Sequence, residues 1–261
     1  MAEAKKTKTN KAQKKVLKAK DLILEMEKKA RQKKYKDKRP ILQRFFKTGK
    51  GQYAEGDVLI GLPVPIVREF AKKYLDLSFV EIKKLLNHKT HEIRLVGLLI
   101  LVEKYQGSKE REEKKSIVGF YLQNTKKINN WDLVDLSAYK ILGDFLLDEA
   151  PSKARKILSD LSKSKNMWER RIAMVSTYAF IKKGKKEEAI LIANNLIKDT
   201  EDLIHKSTGW MLREMGKRIS VNDLESYLKK YGKNMPRVAL RYATEKLDKT
   251  KKAHYYNLNK K

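Results

Sequence analysis

The chain of 261 residues has no cysteine. That excludes a disulfide framework, a thiolate metal site and a cysteine nucleophile, and it fits a reducing setting. No stretch approaches the ~18 consecutive apolar residues of a membrane span, and the N-terminus has no apolar leader core. The expectation is an intracellular, non-secreted protein with no membrane partner, cytoplasmic, or nucleoid-associated in a prokaryote. The histidines His88, His91, His205 and His254 are scattered without paired metal spacing. With only 12 glycines there is no phosphate-binding loop of the P-loop or dinucleotide type, and no Ser–His–Asp order is apparent. No cofactor and no metal are expected.

Acidic residues are also scarce. Asp plus Glu number 32 against 61 Lys plus Arg, a formal charge of +29. Residues 1–40 hold 16 basic and 5 acidic side chains, and the remaining 221 hold 45 and 27, so the folded part is basic too. Such a field attracts polyanions, of which nucleic acid is the commonest in a cell.

The chain divides into a lysine-rich arm over 1–39, partly disordered or helical, a helical body over 40–250, and a basic tail over 251–261. Within the arm a helix is expected from Val16 to about Lys34, with Leu22, Ile23, Leu24 and Met26 as its apolar content, and Pro40 opens a short helix with Ile41, Leu42, Phe45 and Phe46. Capping residues and apolar periodicity predict helices over 66–74, 79–86, 91–105, 109–125, 131–147, 151–161 and 167–181, then 185–197, 202–217, 221–231 and 236–247. Thr48 to Asp57 is glycine-bearing and polar and reads as a loop. No strand is predicted. The helices come in pairs whose second members begin alike: Arg94, Arg171, Lys206 and Arg237 fall at one equivalent point, at intervals of 77, 35 and 31 residues. That is the spacing of HEAT-like repeats, so the expected fold is all-α, a solenoid of stacked antiparallel helix pairs with a concave basic face.

One repeat departs from this pattern. Asn129-Asn130-Trp131-Asp132-Leu133-Val134-Asp135 presents acids where its neighbours present bases. Asn130 can cap a helix from Trp131, and Trp131 and Asp135, four apart, then share a face. An aromatic face beside an anion suits a cationic guest. The alternative is a core tryptophan with two acids at a helix N-terminus. Trp210, in Thr208-Gly209-Trp210-Met211-Leu212-Arg213-Glu214, shares a face with Lys206 and Arg213. Gly209 in mid-helix suggests close approach of another backbone or a ligand. Trp168 reads as structural.

Together, Asn130-Trp131-Asp132-Leu133-Val134-Asp135, Leu142-Gly143-Asp144-Phe145-Leu146, Trp168-Glu169-Arg170-Arg171-Ile172-Ala173 and Gly209-Trp210-Met211-Leu212-Arg213-Glu214 resemble the DNA alkylation repair family of AlkD-like alkylpurine DNA glycosylases. The resemblance covers roughly residues 40–248. It implies hydrolysis of the N-glycosidic bond of N3-alkyladenine and N7-alkylguanine in duplex DNA, without flipping the base into a pocket, by a monomer. It also implies a cleft lined by Trp131, Asp135 and Trp210 as catalytic residues, with Arg171 in support and Arg213 facing the DNA backbone. Lys206, Arg94 and Arg237 complete the expected DNA-binding set. Some members carry a second Trp where this chain has Asn130. A monofunctional enzyme is expected, because no lysine stands out as a Schiff-base nucleophile. The rival expectation is a non-catalytic HEAT-like nucleic-acid-binding scaffold.

Overall fold

A computed structural model describes residues 17–257. Its helices, in chain order, are α1 (Ala19–Ala30), α2 (Lys33–Lys36), α3 (Arg39–Phe45), α4 (Val64–Lys73), α5 (Phe79–Leu86), α6 (His91–Gly107), α7 (Arg111–Gln123) and α8 (Trp131–Ala138). They continue as α9 (Asp144–Leu146), α10 (Pro151–Ser162), α11 (Met167–Lys182), α12 (Glu187–Asn195), α13 (Asp202–Arg218), α14 (Val221–Tyr231), α15 (Arg237–Ala243) and α16 (Lys249–Tyr256). A π-helical stretch, Tyr139–Gly143, joins α8 to α9. Among the described residues there is no strand, only an isolated bridge between Val58 and Thr90.

The expected boundaries of the central helices hold to within a few residues because their caps are in the sequence. Asn130 Oδ1 accepts from Trp131 N at 2.8 Å, Asn166 Oδ1 from Trp168 N at 3.0 Å, and Ser78 and Ser220 cap α5 and α14. A capping side chain satisfies N–H groups that have no partner within the helix.

The second helices of successive pairs form an inner row. α4 packs on α6, α6 on α8, α8 on α11, α11 on α13 and α13 on α15. α6 is buried on every side from His91 to Val102, as expected for a helix with neighbours all round. Gly209 lets α13 and α15 touch. A Cβ there would lie 2.3 Å from the Ala239 carbonyl oxygen and 2.6 Å from Tyr242 Cβ.

Both expected termini need correction. The arm was drawn to residue 39, yet α1 buries Ala19, Leu22, Met26 and Ala30 in the common core and packs on α5. Tyr35 is buried as well, and Arg39 donates to the carbonyls of Ala30 and Ile60. The helix itself lies within the expected 16–34, with Leu22 and Met26 on the stripe at 19, 22, 26 and 30, but its docking on the body is set by contacts distant in sequence. Leu22→Ala is expected to cost ~2–5 kcal/mol, as other large-to-small core changes do. Urea unfolding measures this, and a loss below ~0.5 kcal/mol would detach α1 from the core. At the other end, the expected tail is a helix. Asp248 caps α16 by accepting from Lys251 N at 2.8 Å, and Tyr255 is buried. The remainder of the expected arm (1–16) and of the expected tail (258–261) lies outside the described residues.

Candidate functional site

The helix caps correct the repeat register. Counted from its N-cap, Arg94 is the fourth residue after Thr90, and the corresponding residue after Asn166 is Arg170, not Arg171. The contacts agree. Arg94 Nη1 donates to the carbonyls of His88 and Lys89, six and five residues back, and Arg170 Nη1 to those of Ser164 and Lys165, again six and five back. Each also grips an aspartate, Asp57 or Asp199. The fifth position after the cap is Asp135 in α8, Arg171 in α11 and Lys206 in α13. These three stand at equivalent points on consecutive inner helices, so acid, guanidinium and ammonium form one row.

That row borders a cavity of ≈ 480 Å³ at the N-terminal ends of α8, α11 and α13, whose lining also includes Trp131, Trp210, Arg213, Tyr53 and Phe45. Six residues singled out in the sequence, Trp131, Asp135, Arg171, Lys206, Trp210 and Arg213, thus line one cavity. What holds them was not foreseen. Asp135 and Arg171 form a two-pronged ion pair, Nε to Oδ1 at 3.0 Å and Nη2 to Oδ2 at 2.8 Å, while Arg171 Nη1 donates to the Leu203 carbonyl. Only 6% of the Arg171 side chain is exposed, against 17% for Asp135. Arg171 therefore does not stand free for a phosphate, as the expected DNA-binding set has it: its three guanidinium nitrogens are engaged by Asp135 and the Leu203 carbonyl. Burial raises the Asp135 pKa, the Arg171 charge and its hydrogen bonds oppose that rise, and the net direction is up.

Arg94 is also withdrawn from the DNA-binding set, since it is buried against Asp57. Arg237 is exposed but lies outside the cavity, with its guanidinium over the Tyr256 ring at 4.9 Å. Lys206 pairs with Asp202 at 2.6 Å, a half-exposed i,i+4 contact that an incoming phosphate can exchange at little cost. Arg213 meets Glu245 and, at 3.3 Å, Glu214 on the cavity rim.

Phe45 and Tyr53, which line the cavity, escaped the sequence reading as site residues, and so did Phe46 beside Phe45. Phe46 stacks on Trp131 with ring centres 5.3 Å apart and planes 12° apart, and Phe45 meets it edge-on at 5.5 Å. Tyr53 accepts a hydrogen bond from Trp131 Nε1 at 3.1 Å and touches Trp168 edge-on. The segment that brings Tyr53 is pinned by Glu92, which accepts from Ile60 N at 3.1 Å and Gly61 N at 2.7 Å. Gly61 sits at φ +88°, and a Cβ there would strike the Tyr35 carbonyl oxygen at 2.1 Å.

Asp132, expected only to favour the helix N-terminus, does that by accepting from Leu133 N and does more. Its other oxygen meets His91 Nε2 at 2.8 Å, and His91 Nδ1 lies 3.4 Å from Asp57. Burial pushes His91 down, yet the Asp132 charge and hydrogen bonds to both aspartates outweigh it and lift its pKa to about 9. This buried cation ties the loop, α6 and α8 together behind Trp131. A group whose folded-state pKa exceeds its ordinary value near ~6.5 stabilises fully below that value and loses its contribution as pH rises through the folded one. Stability should therefore decline between pH ~6.5 and about 9. Urea midpoints across that range should fall in the wild type and stay flatter in His91→Gln. Parallel declines would remove His91 as the cause.

The fold and the site define an all-helical repeat protein with an aromatic cleft whose carboxylate is held by arginine. Residues 25–247 match the family described as DNA alkylation repair enzyme, and the chain belongs to that family. A predicted DNA alkylation repair enzyme from Enterococcus faecalis is similar in structure, with a TM-score of 0.61 at 19% identity, covering 82% of this chain and 96% of that one. AlkD2 from Streptococcus mutans also matches, at 18% identity and a TM-score of 0.48, over 92% of this chain and 97% of that one. No curated protein matches the sequence. No helix among the described residues is long and apolar enough to cross a membrane.

Proposed function

We propose that the chain is a monofunctional DNA glycosylase. It hydrolyses the N-glycosidic bond of cationic alkylated purines, N3-alkyladenine and N7-alkylguanine, in duplex DNA and acts as a monomer. The observation that carries this reading is the Asp135 carboxylate, open to a cavity that Trp131 and Trp210 also line and held from behind by Arg171.

An N-alkylated purine is already positively charged, so its bond to the sugar is weak. Cleavage moves positive charge onto the sugar, as in other oxocarbenium-like reactions. Indole faces stabilise such a cation by ~0.5–2 kcal/mol each. A carboxylate fixed beside the sugar contributes more, because it need not reorganise as charge develops, and it can orient the attacking water. In this reading Arg171 keeps Asp135 ionised and aimed, while Lys206 and Arg213, which line the same cavity, take backbone phosphates.

Incubating the full chain with methylated duplex and measuring free base tests the proposal. Release above background supports it. Duplex binding without release points instead to a helical-repeat scaffold, and the absence of salt-sensitive binding would exclude both.

A further inference from the structure

A second cluster of cations lies at the opposite end of the inner helices and takes no part in the proposed chemistry. Tyr139 follows Trp131 by eight residues and Lys182 follows Arg171 by eleven, which at ~1.5 Å per residue puts them about 12–17 Å from the cleft. Aromatic rings bridge the distance. Tyr139 meets Tyr178 edge-on at 5.2 Å, and Tyr178 lies 6.2 Å from Trp210. Beyond them is a cavity of ≈ 410 Å³ whose lining includes Tyr105, Tyr139, Lys114, Lys140, Lys182 and Lys183, with Asp144 as its one acid.

The lysines are gathered around rings rather than around acids. The ammonium groups of Lys140 and Lys182 lie 5.6 and 5.9 Å from the centre of one ring, that of Tyr139, and Lys114 is 5.1 Å from that of Tyr105. Among the described residues, none of these three lysines has a carboxylate within 4 Å. The acids nearby are otherwise placed: Asp144 accepts from Tyr105 Oη at 3.1 Å, and Glu103 acts on Lys140 only at longer range. Burial lowers the Lys140 pKa, and Arg68 and Lys182 lower it further. Tyr139 and Lys140 also open the π-helical stretch, a local distortion frequent at functional sites. Four lysines against one acid, itself engaged by Tyr105, leave a cationic excess that a bound anion relieves, and ammonium groups suit the oxygens of a phosphate.

We propose that Lys140 and Lys182, backed by Lys114, form a second phosphate seat that holds the duplex backbone while another part of the same duplex occupies the cleft. This rests on the reading that duplex DNA is what the cleft takes. The separation of 12–17 Å estimated above is on the scale of a duplex groove, ~6–12 Å wide before the phosphates are counted, so one duplex can reach both places. The basic chain, at +29, favours such a polyanion over a small one.

The test compares full-length Lys140→Gln/Lys182→Gln with a control of equal charge, Lys163→Gln/Lys229→Gln, at exposed positions just after α10 and within α14. Affinity for undamaged duplex is measured by fluorescence anisotropy from 50 to 200 mM salt. Loss of the seat should reduce the slope of log K against log salt by about 1.8, and binding at the low-salt end should weaken roughly tenfold. The control should change less than half as much, and Lys140→Arg/Lys182→Arg should keep the wild-type slope. If the double variant fails to fold, Lys182→Gln alone should reduce the slope by about 0.9. Equal slopes in seat and control variants would overturn the proposal. So would inorganic phosphate raising the Tm of wild type but not of the seat variant while duplex slopes stay equal, because the seat would then take the free anion. Undamaged duplex requires no catalysis. A slope loss in a protein that releases no base would leave the seat standing and remove the glycosylase reading.

Discussion

Replacing Asp135 with Asn should slow base release at least a hundredfold while leaving duplex affinity equal or slightly tighter. The magnitude follows from removing one preorganised group aimed at developing charge, which typically costs ~10²–10³ in rate. The sign of the binding effect follows from electrostatics. A carboxylate facing a cleft that must admit phosphates repels them, and an amide of the same shape does not. The amide oxygen still accepts one hydrogen bond from Arg171, so the clamp is half kept. Single-turnover release and duplex affinity, measured on one preparation, separate the two effects. If Asp135→Asn binds more weakly and loses rate in proportion, the residue is structural and the assigned role fails.

Arg171→Met should act on the same carboxylate through its partner. The guanidinium has only 6% of its side chain exposed and makes two contacts to Asp135. Removing one member of a buried ion pair leaves the other uncompensated, which typically costs ~3–5 kcal/mol. Some of that cost is avoided if Asp135 takes up a proton. Burial raises the Asp135 pKa and Arg171 opposes the rise, so loss of Arg171 moves it higher still. Activity that needs the carboxylate is present above that pKa and lost as pH falls through it. The acid limb of the kcat/KM profile should therefore shift to higher pH in Arg171→Met, with activity partly recovered in alkaline buffer. A uniform loss at all pH values would assign Arg171 to binding rather than to the carboxylate. Methionine keeps much of the arginine stem's packing, which limits the confounding loss of apolar contact.

Much of the fold was legible because its punctuation is local. Asn130, Asn166 and Ser78 mark helix starts by a bond to an amide one to three residues away. The cleft side chains were legible for a similar reason: Trp131 and Asp135 are neighbours on one helix, as are Lys206, Trp210 and Arg213. Gly209 was read as a point of close approach, and the Ala239 backbone lies against it.

What stayed hidden depends on contacts across long stretches of chain. Tyr53 is 78 residues from the indole it binds, and nothing periodic in its polar loop marks it. The register slip that paired Arg94 with Arg171 arose because both helices begin with similar residues. Only the caps at Thr90 and Asn166 set their starting points, and these differ by one from the resemblance of side chains. Once the caps are aligned, Arg94 and Arg170 become brace residues between repeats, and Asp135, Arg171 and Lys206 become the working row. The acid that interrupts a basic ladder turns out to be engaged by the basic residue of the next rung. Lysine enrichment misled at both ends. The helix of α1 was legible, but its lysines made it look like part of a solvated arm, and those of α16 made it look like a tail.

The proposed role of Asp135, which lines one cavity with Trp131 and Trp210, is to drive cleavage of the bond between a cationic purine and its sugar. A duplex carrying one N7-methylguanine, mixed with excess protein, tests it most directly, with both products followed in time. Free 7-methylguanine and an intact strand with an abasic site should form with wild type and be nearly absent with Asp135→Asn. Release that is equally fast with Asp135→Asn, or no release from a duplex that is fully bound, would contradict it.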